Sequence, residues 1–237
     1  MTIKNITFKI LRYKPGHIDP PRIQHFTLAV DSITSVLDSL EKIRLEQDNT
    51  LMYRRSCHHS SCGTCACKIN GEERLTCITK IQDLSGDTIT LEPLEGFKPV
   101  GDLVVDMKHF YDDLSGDWSY IKDTENLESI ELPAGILNFT RFENCIECGA
   151  CVSSCPVSHK NAAFIGPAVL AAINCELKKA PRHAQMLMAA AGSKRGEHLC
   201  ERALNCSRVC PTGVYPARHI MDLRRLLEQE KKTSNPK

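Results

Sequence analysis

At 237 residues, 42% of them apolar, the chain can bury one large core or two modest ones, and its formal net charge of +1 gives no general case for a nucleic-acid binder. Its 13 cysteines are about twice the ordinary complement for this length. A secreted disulfide scaffold is one reading, which the pattern disfavours. Such chains are short and follow a signal peptide, whereas Met1-Thr2-Ile3-Lys4-Asn5 starts with no apolar stretch and no Arg/Ser-rich transit character. The longest apolar run, Ala162 to Ile173, is broken by Gly166-Pro167 and falls short of the roughly 18 residues of a spanning helix. The expectation is a chain in a reducing compartment that does not cross a membrane and whose clustered cysteines bind metal.

In chain order, Ile6, Phe8 and Ile10 alternate, and so do Phe26, Leu28 and Val30, which predicts two strands with one buried face each. After Asp31, the three- and four-residue spacing of Ile33, Val36, Leu37, Leu40 and Ile43 predicts a helix. Asn70-Gly71 marks a hairpin turn, and Thr88-Ile89-Thr90-Leu91 reads as a further strand. Strands and one helix around a cysteine loop suit an α+β, β-grasp ferredoxin-like domain. The polar stretch from Tyr111 to Ser129 reads as a connection, so the expected domains are 1–105 and 106–237. The second domain reads as α-helical and ferredoxin-like, with Pro167 and Pro216 in first turns and Ile220, Leu223, Leu226 and Leu227 as a core stripe. Arg224, Arg225, Lys231 and Lys232 read as a solvated helix end, with weak contact to anionic headgroups as a second use.

The cysteines carry the chemistry. Cys57-x4-Cys62-x2-Cys65 followed by Cys77 is the plant-type spacing for a 2Fe-2S cluster, whose two tetrahedral irons each need two thiolates. Zinc would use Cys62-x2-Cys65 as half a knuckle, but the x4 spacing ahead of it argues against that. A Rieske centre needs a second histidine motif that does not follow Cys57-His58-His59. Cys67, two residues past Cys65, reads as a packed thiol.

Further on, Cys145-x2-Cys148-x2-Cys151-x3-Cys155-Pro156 is the bacterial ferredoxin run, whose fourth cysteine serves the other cluster of a pair. Its partner, Cys200-x5-Cys206-x3-Cys210-Pro211, has Ala203 where one cysteine would stand. Crossing over the last cysteine of each run gives Cys145, Cys148, Cys151 and Cys210 for a 4Fe-4S cluster. Cys155, Cys200 and Cys206 remain for a 3Fe-4S cluster. The rival is that Cys175 supplies a fourth ligand to this second set; its place inside a helical pattern favours a buried thiol.

Arg55-Ser56-Cys57-His58-His59-Ser60-Ser61-Cys62-Gly63-Thr64-Cys65, the stretch from Pro99 to Met107, and the run from Cys145 to Pro156 resemble the iron–sulfur subunit of succinate dehydrogenase and fumarate reductase. Phe164-Ile165-Gly166-Pro167-Ala168 and the stretch from Asn205 to Pro211 complete a likeness that spans nearly the whole chain in order. The resemblance implies a bacterial electron-transfer subunit, peripheral on the cytoplasmic side of the cytoplasmic membrane. It would bridge a FAD-bearing flavoprotein subunit, where the dicarboxylate chemistry takes place, and a membrane anchor that binds quinone and often haem b. Pro156, His159 and Lys160 become candidates for lining the quinone site. Ubiquinone-using members commonly have tryptophans where His159 and Lys160 stand, and the sole tryptophan here is Trp118, so menaquinone is favoured. Glu201 stands where the family often has histidine.

No nucleophile–base pair, phosphate loop or dinucleotide fingerprint is present in the sequence. The alternative function is the iron–sulfur subunit of another quinone- or thiol-linked reductase, which would typically carry two complete ferredoxin runs; Ala203 argues against it. A soluble carrier ferredoxin would need neither three clusters nor this length. A zinc-stabilised binding module conflicts with the ligand spacing.

Overall fold

The computed structural model describes residues 3–108, 110, 145–178 and 184–234; the expected connection from Tyr111 to Ser129, and Trp118 within it, lie outside the described residues. The described chain forms two compact units, Met1–Met107 with Ile146–Ser153, and Lys108–Cys145 with Ser154–Lys237. Residues 146–153, counted with the second domain in the sequence reading, thus pack with the first unit.

In the first unit, β1 (Ile3–Lys14) and β2 (Ile18–Asp31) pair antiparallel, with Ile6 opposite Leu28 and Phe8 opposite Phe26. Helix α1 (Val36–Glu46) follows, then β3 (Ala66–Ile69), β4 (Glu72–Leu75) and β5 (Thr88–Glu92). The strand order β2-β1-β5-β3-β4, with β5 parallel to β1, makes the mixed sheet of a β-grasp domain. β6 (Lys98–Gly101) and β7 (Val104–Asp106) form a separate hairpin. Ile6, Phe8, Ile10, Ile89 and Leu91 bury their side chains against Val36, Leu40 and Ile43 of α1. Each such burial contributes about 1.5–3 kcal/mol.

The helix starts later than the apolar spacing alone suggests. Ser35 caps it: its hydroxyl oxygen accepts from the Asp38 N–H at 3.1 Å, while the Asp38 carboxylate accepts from the Ser35 N–H at 3.3 Å. Ile33 lies before the cap and is 54% exposed, so it is no part of the core stripe.

Arg12 occupies the next inward-facing position of β1 after Ile10 and is 1% exposed. Its Nη1 donates to Asp48 at 2.7 Å and Gln24 at 2.6 Å, and its Nη2 donates to Thr50 at 3.0 Å. Its Nε lies 3.0 Å from Asp102 Oδ1 as an ion-pair contact rather than an aligned hydrogen bond. Burial works against the guanidinium charge, but the two carboxylates outweigh it and hold Arg12 above its ordinary value. Burial likewise opposes the Asp48 charge, yet hydrogen bonds from Thr50 and Arg12 draw that carboxyl down to about 2. The buried Asp102 also accepts from the N–H groups of Tyr13 and Met52, both at 2.8 Å. This network ties β1 and the β6–β7 hairpin to the segment that leads into Cys57.

The second unit is helical in its described residues. Following α2 (Ala150–Ser153) of the first unit come α3 (Pro156–Lys160), α4 (Gly166–Lys178), α5 (Ala184–Ala191), α6 (Asn205–Arg208) and α7 (Pro216–Ser234). The α7 residues Ile220, Leu223 and Leu227 pack with Leu170, Ile173 and Leu187. Leu226, expected in that stripe, is 38% exposed, because at about 100° per residue it stands at the edge of the face that Ile220, Leu223 and Leu227 share. Among the described residues no helix is long and apolar enough to cross a membrane.

Candidate metal centres

The loop between α1 and β3 supplies the first group of thiols. His58, Ser60 and Gly63 take φ of 61°, 63° and 66°, a left-handed conformation that curls the loop back on itself. The Cys57 thiol accepts from the N–H of His59 first, then from the Ser61 hydroxyl and the Cys62 N–H, which together draw it down to about 5. Cys77 is pushed up to about 11, by burial first and then by the neighbouring Cys65 thiol, and it also lies within reach of Cys57 and of the Ser60 N–H. The structure therefore brings Cys57, Cys62, Cys65 and Cys77 near one another, with the N–H groups of His59 and Cys62 at Cys57 and that of Ser60 at Cys77, donors that suit a cluster carrying negative charge. No trio of His, Cys, Asp or Glu side chains among the described residues converges on a point fit for one ion. A binuclear cluster is wider and spreads its thiolates accordingly. His59 engages the loop itself, with Nδ1 against the Cys57 carbonyl and Nε2 at 3.1 Å from the Ser61 hydroxyl.

Cys67 sits on β3 in the sheet core rather than in the loop. It is 2% exposed within the sheet core, and burial pushes its thiol upward. Cys67→Ser is expected to keep the reduced 2Fe-2S EPR signal while losing about 1–3 kcal/mol of stability for a buried hydroxyl. Cys65→Ser should lose or strongly alter the signal; its loss in the Cys67 variant instead would reverse the assignment.

Residues 146–153 bring part of the ferredoxin run against this loop. A Cβ on Gly63 would stand 2.4 Å from the Ile146 carbonyl oxygen and 2.8 Å from Cys148 Cβ, so only glycine permits the approach. Gly149, at φ 81°, is likewise crowded by Met107, Phe97 and Leu94. The Ser153 hydroxyl donates to the buried Glu73 carboxylate at 2.8 Å and accepts from the Glu95 N–H at 2.9 Å. Cys148 and Cys151 belong to this first unit, Cys145 and Cys210 to the second. In the second unit Cys145 and Cys210 pack against Ala171, Ala172, Cys175 and Val214, and the Val214 N–H points at Cys210 Sγ from 3.3 Å. Buried Cys175 has its Sγ 3.7 Å from His219 Nδ1, and Asn174 Nδ2 meets the same ring nitrogen at 2.8 Å. Burial first, and then the Lys178 charge, hold His219 down to about 4.

The third group lines a small recess in the second unit, open to solvent at its mouth. Cys155, Cys200 and Cys206 all face it, together with Pro156 and Ala203, and Cys175 is not among its lining residues. Arg202 and Leu204 flank Ala203 at φ 60° and 63°, which folds that loop around the recess. Cys206 is pushed up to about 12, by burial first and then by the neighbouring Cys155 and Cys200 thiols. A bound iron reverses that balance, since thiols ligate as thiolates. Three cysteines and an alanine suit a cuboidal cluster with one corner unligated. His159 and Lys160 are exposed on the last turn of α3.

Sequence reasoning missed Arg12, Asp102, Glu73, Ser153 and His219 around these sites. Arg12 alone carried a signal, a charge on the inward face of an alternating strand.

Fold and thiol groups together define an iron–sulfur electron-transfer protein of two ferredoxin-like parts. Residues 7–112 match the 2Fe-2S iron-sulfur cluster binding domain, and residues 141–214 match the 4Fe-4S dicluster domain. The fumarate reductase iron-sulfur subunit of an Escherichia coli strain is 33% identical over 223 residues, covering 92% of this chain and 91% of its own. The corresponding Haemophilus influenzae subunit is 32% identical over 228 residues, covering 90% and 89%. A chain of the Mycobacterium smegmatis Sdh1 complex in the apo form shares the fold, with a TM-score of 0.81 at 21% identity over 99% of both chains. The chain belongs to the iron–sulfur subunits of the fumarate reductase and succinate dehydrogenase family.

Proposed function

We propose that the chain passes electrons between FAD on a flavoprotein partner and a quinone, menaquinone in preference to ubiquinone, at a membrane anchor. The observation that carries this reading is the sorting of thiols in space, with four around one loop and three around a recess edged by Ala203. Cys57, Cys62, Cys65 and Cys77 would hold a 2Fe-2S cluster. Cys145, Cys148, Cys151 and Cys210 would hold 4Fe-4S, and Cys155, Cys200 and Cys206 would hold 3Fe-4S. Bound there, the clusters supply one-electron carriers. The chain's own residues would fix their spacing and direct backbone N–H groups at the sulfurs.

The domains 1–105 and 106–237 separate the 2Fe-2S ligands from the others, with residues 146–153 lent to the first unit. Gly63 lets the first cluster loop lie against Cys148, which shortens the path between neighbouring carriers. Pro156, beside Cys155 in the recess wall, together with His159 and Lys160, would face the quinone. The subunit would be peripheral, on the cytoplasmic side of a bacterial cytoplasmic membrane, and haem b, where present, would belong to the anchor.

Co-expression with a flavoprotein and an anchor subunit tests this. The chain should sediment with membranes, leave them on alkaline washing, and let succinate-reduced clusters reoxidise with a menaquinone analogue. Recovery as an integral membrane protein, or clusters that no quinone reoxidises, would overturn the reading.

A further inference from the structure

Arg224 does not share the solvated helix end of its neighbours. On α7 it stands four residues beyond Ile220, which lines the cysteine recess, so both project from the same helical face. Arg224 Nη2 donates to the Cys200 carbonyl at 3.2 Å and to the Glu197 carbonyl at 3.5 Å. Arg224 Nε pairs with the Glu197 carboxylate, and the two side chains are only 20% and 8% exposed. The Cys200 N–H in turn donates to the Glu197 carbonyl at 2.9 Å. Cys200 is therefore held at its carbonyl by the Arg224 guanidinium and at its N–H by the main chain of Glu197, whose carboxylate pairs with that guanidinium. The turn that carries Glu197 has no slack, since a Cβ on Gly196 would stand 1.9 Å from the Ala191 carbonyl oxygen. The guanidinium touches Cys200 directly, whereas the carboxylate touches the guanidinium.

We propose that the Arg224–Glu197 pair positions Cys200 and sets the reduction potential of the cluster in the recess, with the cation as the member of the pair nearer to Cys200. The inference rests on the 3Fe-4S reading given above. A guanidinium keeps its charge at any working pH, and partial burial weakens the solvent screening that silences surface charges. A fixed cation beside the recess favours the reduced cluster, because reduction adds negative charge. The carboxylate trims that bias. Removing one partner or the other should thus move the potential in opposite directions, which a clamp of purely mechanical importance would not do.

The test is an EPR redox titration of the oxidised-state three-iron signal in the assembled membrane complex. Glu197→Gln keeps an acceptor for Arg224 and should make the cluster about tenfold easier to reduce, which is about 59 mV for one electron. Arg224→Gln should make it harder to reduce by a similar factor. Arg224→Lys keeps the charge but gives up the fork, and should stay closer to wild type than to Arg224→Gln. Arg225→Gln removes the same formal charge from a side chain that is 69% exposed and should leave the potential within about twofold of wild type, as screening of surface charge implies. Shifts of the same sign in the Glu197 and Arg224 variants, or shifts no larger than that of Arg225→Gln, would overturn the proposal. Where Arg224→Gln loses iron, Glu197→Gln and Arg224→Lys decide it by the same criteria. A wild-type complex with no three-iron signal and about ten irons per chain, against about nine from the ligand sets, would instead sink the underlying cluster reading.

Discussion

Ala203→Cys is expected to abolish the oxidised-state EPR signal of the recess cluster and to raise the iron content from about nine to about ten per chain, as the ligand sets require. Ala203 is exposed to the recess that Cys155, Cys200 and Cys206 line, so a thiol there adds a fourth donor without disturbing a packed core. A cluster with four thiolates and a fourth iron has a different core charge and a lower potential. Each drop of about 59 mV disfavours its reduction tenfold. Electron transfer to quinone should slow by more than that single factor. Persistence of the three-iron signal in this variant, with iron unchanged, would show that Ala203 does not mark the open corner.

Gly63→Ala should be the most damaging single methyl in the first cluster loop. An alanine at φ 66° costs about 1–2 kcal/mol in backbone strain. Its Cβ would also overlap the Ile146 carbonyl oxygen at 2.4 Å, and forced overpacking of this kind costs a further 1–3 kcal/mol or so. The obstacle is backbone, not a flexible side-chain tip, so the loop and residues 146–148 must separate. Thermal bleaching of the cluster absorption should begin several degrees lower, by about 2–4 °C per kcal/mol for a chain of this size. Transfer between the first and second clusters should slow in single-turnover reduction. Gly71→Ala, at a hairpin with nothing within 4 Å of the added carbon, controls for φ strain alone. Equal behaviour of the two variants would show that the loops have room.

Much of this was legible in the residues. Iron–sulfur ligands announce themselves by local spacing, and the three thiols of the recess could be grouped because the crossing-over rule is a property of the motif. The inward faces of β1 and β2 followed from alternation, and the same alternation carried one step further would have placed Arg12 on the buried face. Its partners could not be read, because Asp48 and Asp102 lie 36 and 90 positions away. Ser153 and Glu73, which are 80 positions apart, pose the same difficulty. Arg224 was hidden differently: the dipeptide Arg224-Arg225 is ambiguous until the helical period sends one guanidinium inward and the other to solvent. The late start of α1 was available in principle, since Ser35 and Asp38 form a capping box, but the apolar spacing of Ile33 masked it.

The first unit is not closed by contiguous chain. When residue 107 leaves the ribosome, the segment that covers Gly63, engages Glu73 and Glu95, and fills the space beside Leu94 and Phe97 has not been made. Elongation at about 5–20 residues per second puts that segment roughly 2–9 s behind. During this interval the nascent ferredoxin half presents its cysteine loop uncovered on one side. That side of the first site is completed only when residues 146–153 emerge and seat themselves over the loop.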